Sequence, residues 1–258
     1  MQDLNVTLVQ ANQIWEDKQA NLDNYDKLLA NVEDTDLIVL PEMFHTGFSM
    51  NAEVLAEKME KSQGIKWLQE KAKAINAAFY TSLIIEEDNH FYNRGVFIHP
   101  NGEIATYDKR KSFGLAGEDK IYTSGTKNTI VELNGWKIQL QICYDVRFPE
   151  INRNKIDEKT EKPIYDILLF VANWPAKRSI HWKTLLNARA IENQSYVIGV
   201  NRIGKDANQL EYSGDSLLTD ALGNVQNLTP NKEEVKTYKL SSKELLKIRK
   251  TLPFLKDS

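Results

Sequence analysis

Residues 136–150 read WKIQLQICYDVRFPE. Trp136, Ile138, Leu140 and Ile142 alternate with Lys137, Gln139 and Gln141, the period of a strand with one apolar face. Cys143 falls with the polar set, at the end of that strand, and Tyr144 and Asp145 follow it. Just upstream, Asn134-Gly135 separates the strand from another strand-like run, Thr129–Leu133. An Asn-Gly pair can occupy the positive-φ positions of a tight hairpin turn, so the two runs are expected to pair. Asn101-Gly102 makes the same prediction for Arg94–His99 and Ile104–Tyr107. Downstream, Ile164–Ala172 is apolar enough for a strand buried on both faces. Trp182, Leu185, Leu186 and Arg189 then suggest a helix, followed by a strand over Tyr196–Asn201.

The first third of the chain alternates. Leu4–Gln10 reads as a strand. Leu22, Tyr25, Leu28, Leu29 and Val32 have helical spacing. Asp36–Leu40 is a short buried strand. Ile65, Leu68, Ala72 and Ile75 form a second helical stripe, with Ser62 as its N-cap. Phe79–Ile85 is the next strand. Near the end come a strand around Val235–Leu240 and a short helix opened by Ser241 or Ser242, with Glu244 nearby. The order βαβαβ followed by hairpins favours a two-layer sheet core clad by helices over an all-parallel barrel. The linker-like stretch Asp157–Pro163 is too short to separate domains, so residues 1–258 are read as a single domain.

The 258 residues are 41% hydrophobic and 27% charged, with a formal net charge of −3. That balance is globular, and it lacks the basic excess of a nucleic-acid binder. One cysteine excludes an internal disulfide framework. The four histidines, at 45, 90, 99 and 181, argue against a histidine-built zinc site. The N-terminus MQDLNVTLVQ has no basic region or long apolar run, and the longest apolar stretch, ILLFVA (167–172), is far below the roughly 20 residues that span a bilayer. No membrane association is therefore expected, and the cytoplasm is the expected location.

A free cysteine is most often packing. A cysteine at a strand end is better placed for chemistry, because α/β folds present reactive groups there. A nucleophilic thiol needs a base or a lowered pKa. No local Cys-His signature appears, and His181 stands before a helix as a cap neighbour or surface group. A carboxylate is the alternative base. Glu42 closes the apolar run LIVLP, where burial is costly without a partner. Lys109 follows the strand Ile104–Tyr107, although its KRK cluster also reads as a solvated basic turn. A carboxylate can take the thiol proton, and an ammonium can stabilise a developing oxyanion.

The segments around these residues resemble the nitrilase, or carbon-nitrogen hydrolase, superfamily. LPEMF (40–44), YDKRKSF (107–113) and ICYDVRFPE (142–150) look like its Glu, Lys and Cys motifs, in the family's order. ANWP (172–175) and HWKTLLNARAIENQSYV (181–197) look like its later segments. The Lys motif departs from the pattern, with Lys111 and Ser112 where the family commonly has His-Leu. The choice of Lys109 over Lys111 therefore rests on its place after Tyr107. The resemblance implies an α/β fold, a four-layer α-β-β-α sandwich, and a hydrolase using no metal or organic cofactor. It implies Cys143 as nucleophile, Glu42 as general base and acid, and Lys109 with the Tyr144 backbone N–H as oxyanion donors. Glu118 would hold Lys109 and the substrate amide.

Within the superfamily, LPEMFHTGFSM and NWPAKRSIHWKTLLNARAIENQ are most similar to the omega-amidases. That implies hydrolysis of the terminal amide of a small dicarboxylate ω-amide, of the 2-oxoglutaramate or 2-oxosuccinamate type, through a cysteine thioester. Arg178 is the candidate anchor for the substrate carboxylate, since Arg offers a bidentate fork. Trp174, Phe44 and Phe113 are further pocket candidates. Arg147 and Glu150 are expected to form a structural ion pair. The resemblance also implies a homodimer. Two other readings stay open: another superfamily activity on nitriles, N-carbamoyl groups or other amides, and a non-catalytic thiol-sensing or interaction protein.

Overall fold

The computed structural model describes residues 1–257. Two six-stranded sheets form its centre. The first contains β1 (Leu4–Gln10), β2 (Leu37–Val39), β3 (Ala78–Glu87), β4 (His90–Ile98), β5 (Ile104–Asp108) and β14 (Glu234–Leu240), in the order β14-β1-β2-β3-β4-β5. The second contains β6 (Thr129–Leu133), β7 (Trp136–Ile142), β8 (Ile167–Ala172), β9 (Tyr196–Asn201), β12 (Leu217–Thr219) and β13 (Val225–Asn227), in the order β13-β12-β9-β8-β7-β6. A small ribbon, β10 (Ile203–Lys205) with β11 (Glu211–Ser213), lies outside both. At the heart of each sheet three strands run parallel, β1-β2-β3 and β7-β8-β9, and antiparallel strands extend the edges.

The apolar periods explain the layers. Leu4, Val6, Leu8, Leu37, Val39 and Tyr80 share one core with Trp136, Ile138, Leu140 and Ile142, so the sheets pack face to face. The Tyr80 hydroxyl donates to the Gln141 carbonyl across that interface at 3.0 Å. Alternate residues of the first sheet, including Val9, Ile38, Phe79 and Ile85, face outward against α1 (Lys18–Leu29) and α2 (Gln63–Ile75). On the second sheet, α3 (Ser179–Asn193) sets Trp182 and Leu186 against Gly199, where a Cβ would lie 2.4 Å from Leu186. The order is helix, sheet, sheet, helix, as the resemblance implied. The last helix, α4 (Ser242–Thr251), is tied to the second sheet by Arg249. No helix among the described residues is long and apolar enough to cross a membrane.

Local signals met different fates. Ser62 caps α2 as expected, accepting from the Ile65 N–H, and Ser241 rather than Ser242 caps α4. Asn134-Gly135 takes positive φ at both positions, 50° and 81°. At Asn101-Gly102 only Gly102 does, at 88°; the Asn101 side chain instead accepts from the Glu103 N–H, which builds a longer turn. The hairpin between β3 and β4 turns on Asp88-Asn89, both left-handed, a pair not read as a turn from the sequence. The helix expected through Val32 ends at Leu29, and the strand expected from Ile164 begins at Ile167.

Candidate active site

Four strand ends converge. Glu42 comes three residues after β2, Cys143 directly after β7, Asn173 directly after β8, and Lys109 directly after β5. Parallel strands deliver their C-terminal ends to one edge of a sheet, which is why such edges carry sites. The face-to-face packing brings the two edges together at a cavity of about 630 Å³, whose wall includes Lys109, Cys143, Tyr144, Asn173 and Trp174.

The charges there are buried and compensated. Glu42 is fully buried; its Oε1 accepts from Lys109 Nζ at 3.0 Å and Asn93 Nδ2 at 2.7 Å, and its Oε2 from the Asn173 N–H at 2.7 Å. Lys109 Nζ also donates to both oxygens of Glu118, at 2.8 and 2.9 Å. Glu118 is itself held by the Phe113 N–H at 2.5 Å and by Asn93. An ammonium between two carboxylates leaves one net negative charge. Burial works against the Lys109 ammonium, but Glu118 and Glu42 outweigh it and hold the pKa well above the usual lysine value.

Cys143 sits in this field. Burial first, and then the Glu42 charge, push its thiol well above the ordinary range, so the resting group is the neutral thiol. Its backbone is left-handed, with φ 46°, a conformation costly for a residue with a Cβ. Asp145 holds that turn in place. Its Oδ2 accepts from the Ile142 N–H at 3.0 Å and from the Tyr107 hydroxyl at 2.8 Å, and its Oδ1 accepts from the Lys111 N–H at 3.0 Å. The Cys143 turn and the lysine segment are thus fastened to one carboxylate, whose pKa burial raises to about 6.

The expected residues divide clearly. Glu42, Lys109, Cys143 and Glu118 come together, and the neighbouring Asp119 is exposed. Lys111 points away: its ammonium is a third exposed and pairs with the exposed Glu150 at 3.2 Å. That pairing also corrects the expected Arg147–Glu150 bridge. Arg147 lines the cavity, with its guanidinium 4.8 Å from the Trp174 ring and a hydrogen bond to His181 at 3.1 Å. Trp174, Phe113 and Arg178 line the cavity; the Arg178 guanidinium stands 5.2 Å over the Phe113 ring. Phe44 does not. It packs outward among Tyr25, Trp67 and His45, because the chain reverses at Met43, where φ is 45°. Trp182 is core, and its indole donates to the Asp215 carbonyl.

Sequence reasoning missed Asn93, Asn173 and Asp145. Asn93 carried a faint signal, a lone amide inside the strand FYNRGVFI, and Asn173 another, the first polar residue after ILLFVA.

The carbon-nitrogen hydrolase family model matches residues 5–250. An omega-amidase, YafV, of Yersinia enterocolitica is 42% identical over 259 residues, covering 100% of this chain and 98% of that protein. A 2-oxoglutaramate amidase of Paenarthrobacter nicotinovorans is 34% identical, over 89% of this chain and 80% of that one. Among solved structures, XC1258 of Xanthomonas campestris, a CN-hydrolase superfamily protein with an arsenic adduct in its active site, superposes with a TM-score of 0.96. It is 40% identical and covers 100% of this chain and 98% of that chain. With its sandwich, its convergent strand ends and these likenesses, the chain belongs to the carbon-nitrogen hydrolase family.

Proposed function

We propose that this protein hydrolyses the terminal amide of a small ω-amide that bears a carboxylate at its other end, of the 2-oxoglutaramate type, releasing ammonia. The observation that carries the chemistry is the buried Glu42–Lys109–Glu118 cluster beside Cys143 at the cavity wall. The omega-amidase and 2-oxoglutaramate amidase relatives support the substrate class.

The charge balance dictates the proton route. A free thiolate would add a second negative charge to a buried site, so the proton leaves as the carbon–sulfur bond forms. Cys143 Sγ attacks the amide carbon and its proton passes to Glu42. The carbonyl oxygen becomes an oxyanion facing Lys109 Nζ and the Tyr144 backbone N–H. Glu42 returns the proton to the nitrogen, the carbon–nitrogen bond breaks, and ammonia departs from a thioester. Water then gives a proton to Glu42 and attacks the thioester carbon; the carboxylic acid leaves, and the sulfur regains the proton. Lys109 stays charged throughout, because both carboxylates hold it so.

The far end of the substrate is an anion, and Arg178 is its proposed partner. Its guanidinium makes no ion pair within 4.0 Å among the described residues, so it can receive a carboxylate without giving up another. Removing one side of a buried charged pair typically costs about 2–5 kcal/mol, or roughly 30- to several-thousand-fold. Ammonia release should be measured for the ω-amide acid, a neutral aliphatic amide of equal length, a nitrile and a ureide. The acid should be preferred, and Arg178→Met should cripple its turnover far more than that of the neutral amide. Preference for the neutral amide or the nitrile overturns the substrate class; a harmless Arg178→Met moves the anchor to Arg147 or Lys177. The single domain, the cytoplasmic location and the homodimer are part of the same proposal, and light scattering of the purified protein tests the last.

A further inference from the structure

Asn173 has an acceptor with nothing to accept. Its side chain is nearly buried, at 5% exposure, and it forms part of the cavity wall. Its backbone N–H donates to Glu42 Oε2, and its Nδ2 donates to the Glu42 carbonyl at 2.6 Å. The second bond fixes the amide's orientation, since a carbonyl oxygen takes only a donor. The amide therefore cannot flip to bring Oδ1 to Glu42. Oδ1 is left buried, with no partner among the described residues. A buried acceptor without a donor is costly, and such groups in native proteins call for an explanation.

Other unpartnered atoms lie close by but fit a ligand less well. Asn93 Oδ1 is unpartnered too, yet Asn93 is not part of the cavity wall. Arg202 Nη1 belongs to a guanidinium already occupied by the carbonyls of Ile203, Gln13 and Lys205. Asn173 alone of these three joins an open acceptor, a place in the cavity wall and direct bonds to the group proposed as base.

We propose that Asn173 Oδ1 receives an N–H of the scissile amide, and so makes the site selective for primary amides over esters of the same acid. This rests on the amide-hydrolase reading above. The chemistry of the substrate narrows the donor to one group. An ionised ω-amide keto acid offers oxygens at its carboxylate, ketone and amide carbonyl, all acceptors. Its NH₂ is the sole donor. Held by Oδ1 on one hydrogen, the amide nitrogen stays beside Glu42, whose position the same asparagine sets. The nitrogen is therefore oriented toward the carboxyl that must protonate it when the carbon–nitrogen bond breaks. An ester oxygen has no hydrogen to offer, and binding it leaves Oδ1 unsatisfied. Sites built around a substrate hydrogen bond discriminate by this penalty.

The test is a cycle of two substrates and two proteins. kcat/KM is measured for the ω-amide and the matching ω-methyl ester, with wild type and Asn173→Ala. kcat/KM covers only the steps through acylation, so later thioester hydrolysis does not enter. A disturbance of Glu42 through the lost Nδ2 bond weighs more on the amide, whose nitrogen must be protonated to leave, so a fallen ratio supports the proposal only together with the binding measurement below. The amide-to-ester ratio should fall by roughly tenfold or more in the variant. Equal losses for both substrates would overturn the proposal and leave Asn173 a positioning residue for Glu42. A second measurement leaves Asn173 unchanged. Cys143→Ala, which cannot acylate, should bind the amide more tightly than the ester by calorimetry, and equal affinities would likewise overturn it. A wild type inactive on the ω-amide but active on another primary amide would overturn the substrate reading alone. The same ratio, taken on that amide and its ester, then decides the role of Asn173.

Discussion

Two cavities of similar volume lie at opposite ends of the second sheet's parallel strands. One, about 630 Å³, lies where β2, β7 and β8 end; the other, about 710 Å³, lies where β7 and β8 begin. Both are rich in charge. At the far cavity Lys162 and Lys250 are exposed to water, and the part-buried pair there, Arg249 with Asp166, is complete. Arg249 also donates to the carbonyls of Gln194 and Tyr165, so the pair braces α4 against the second sheet. At the strand ends the opposite holds. Two carboxylates share one ammonium, a thiol is kept protonated, and an amide oxygen has no partner. Cavity size does not distinguish these regions. What distinguishes them is whether the buried polar groups satisfy one another or leave something for a ligand to do.

The largest effect expected from this contrast is at Cys143. Cys143→Ala should keep the fold, since a small buried side chain is shortened by one atom. It should lose roughly 10⁴-fold or more in kcat, as removal of a nucleophile does. Intact-protein mass spectrometry of wild type with a slow amide should show an acyl adduct, absent from the variant. Normal turnover by folded Cys143→Ala would erase the distinction between the two cavities.

Next come the charges around it. Glu42→Gln should fall by roughly 10²–10⁴-fold and Lys109→Met by about 10²–10³-fold, with the double variant far from additive. Lys111→Met, two residues on, should stay near wild type, because its ammonium reaches the exposed Glu150 and the Phe148 ring and neither Glu42 nor Glu118. A dead Lys111 variant beside an active Lys109 variant would mean that the buried cluster is structural.

The far cavity supplies the converse. Arg249→Met leaves the Asp166 carboxylate with the Lys137 N–H but no counter-charge, a change that costs up to about 3 kcal/mol for a partly buried pair. For a chain of this length each kcal/mol lowers Tm by about 2–4 °C. Denaturant unfolding should register the loss while kcat stays within about twofold of wild type. A large drop in kcat with unchanged stability would show that the two ends of the sheets are coupled.

How much of this could be read in advance follows the same division. Long apolar periods were legible, and Glu42 stood out as a carboxylate closing an apolar run; Lys109 and Cys143 gave weak signals alone and drew their meaning from the motifs around them. The layer order needed the family likeness, since periodicity shows which strand faces are buried but not what covers them. Asn93 and Asn173 left only a faint trace: an amide carries no charge, and only its three-dimensional neighbours show that it holds a carboxylate. Phe44 was misplaced because one left-handed residue, Met43, turns the chain outward, and nothing in LPEMF marks that turn. The three-residue strands from Ile203 to Asn227 are too short to carry a period.

The smallest effect concerns Asp145, a buried charge at the active end that satisfies its neighbours as fully as Arg249 does at the other. Burial raises its carboxyl to about 6, against 3.8 in an unfolded chain. The native state therefore binds a proton between pH 6 and pH 4 that the unfolded chain does not. A group raised in this way contributes stability that is fully present below the unfolded value and lost as pH rises through the folded one. A rise of that size corresponds to about 3 kcal/mol. Asp145→Asn removes that proton uptake along with one carboxylate acceptor of the nucleophile turn. Relative to wild type, the variant should then become progressively less stable between pH 7 and pH 4, by up to about 3 kcal/mol. Urea unfolding of both proteins at pH 7, 6, 5 and 4 measures this directly. A gap that stays constant across the series would mean that Asp145 titrates alike in both states. It would then resemble an exposed carboxylate of the far cavity more than a strut of the nucleophile turn.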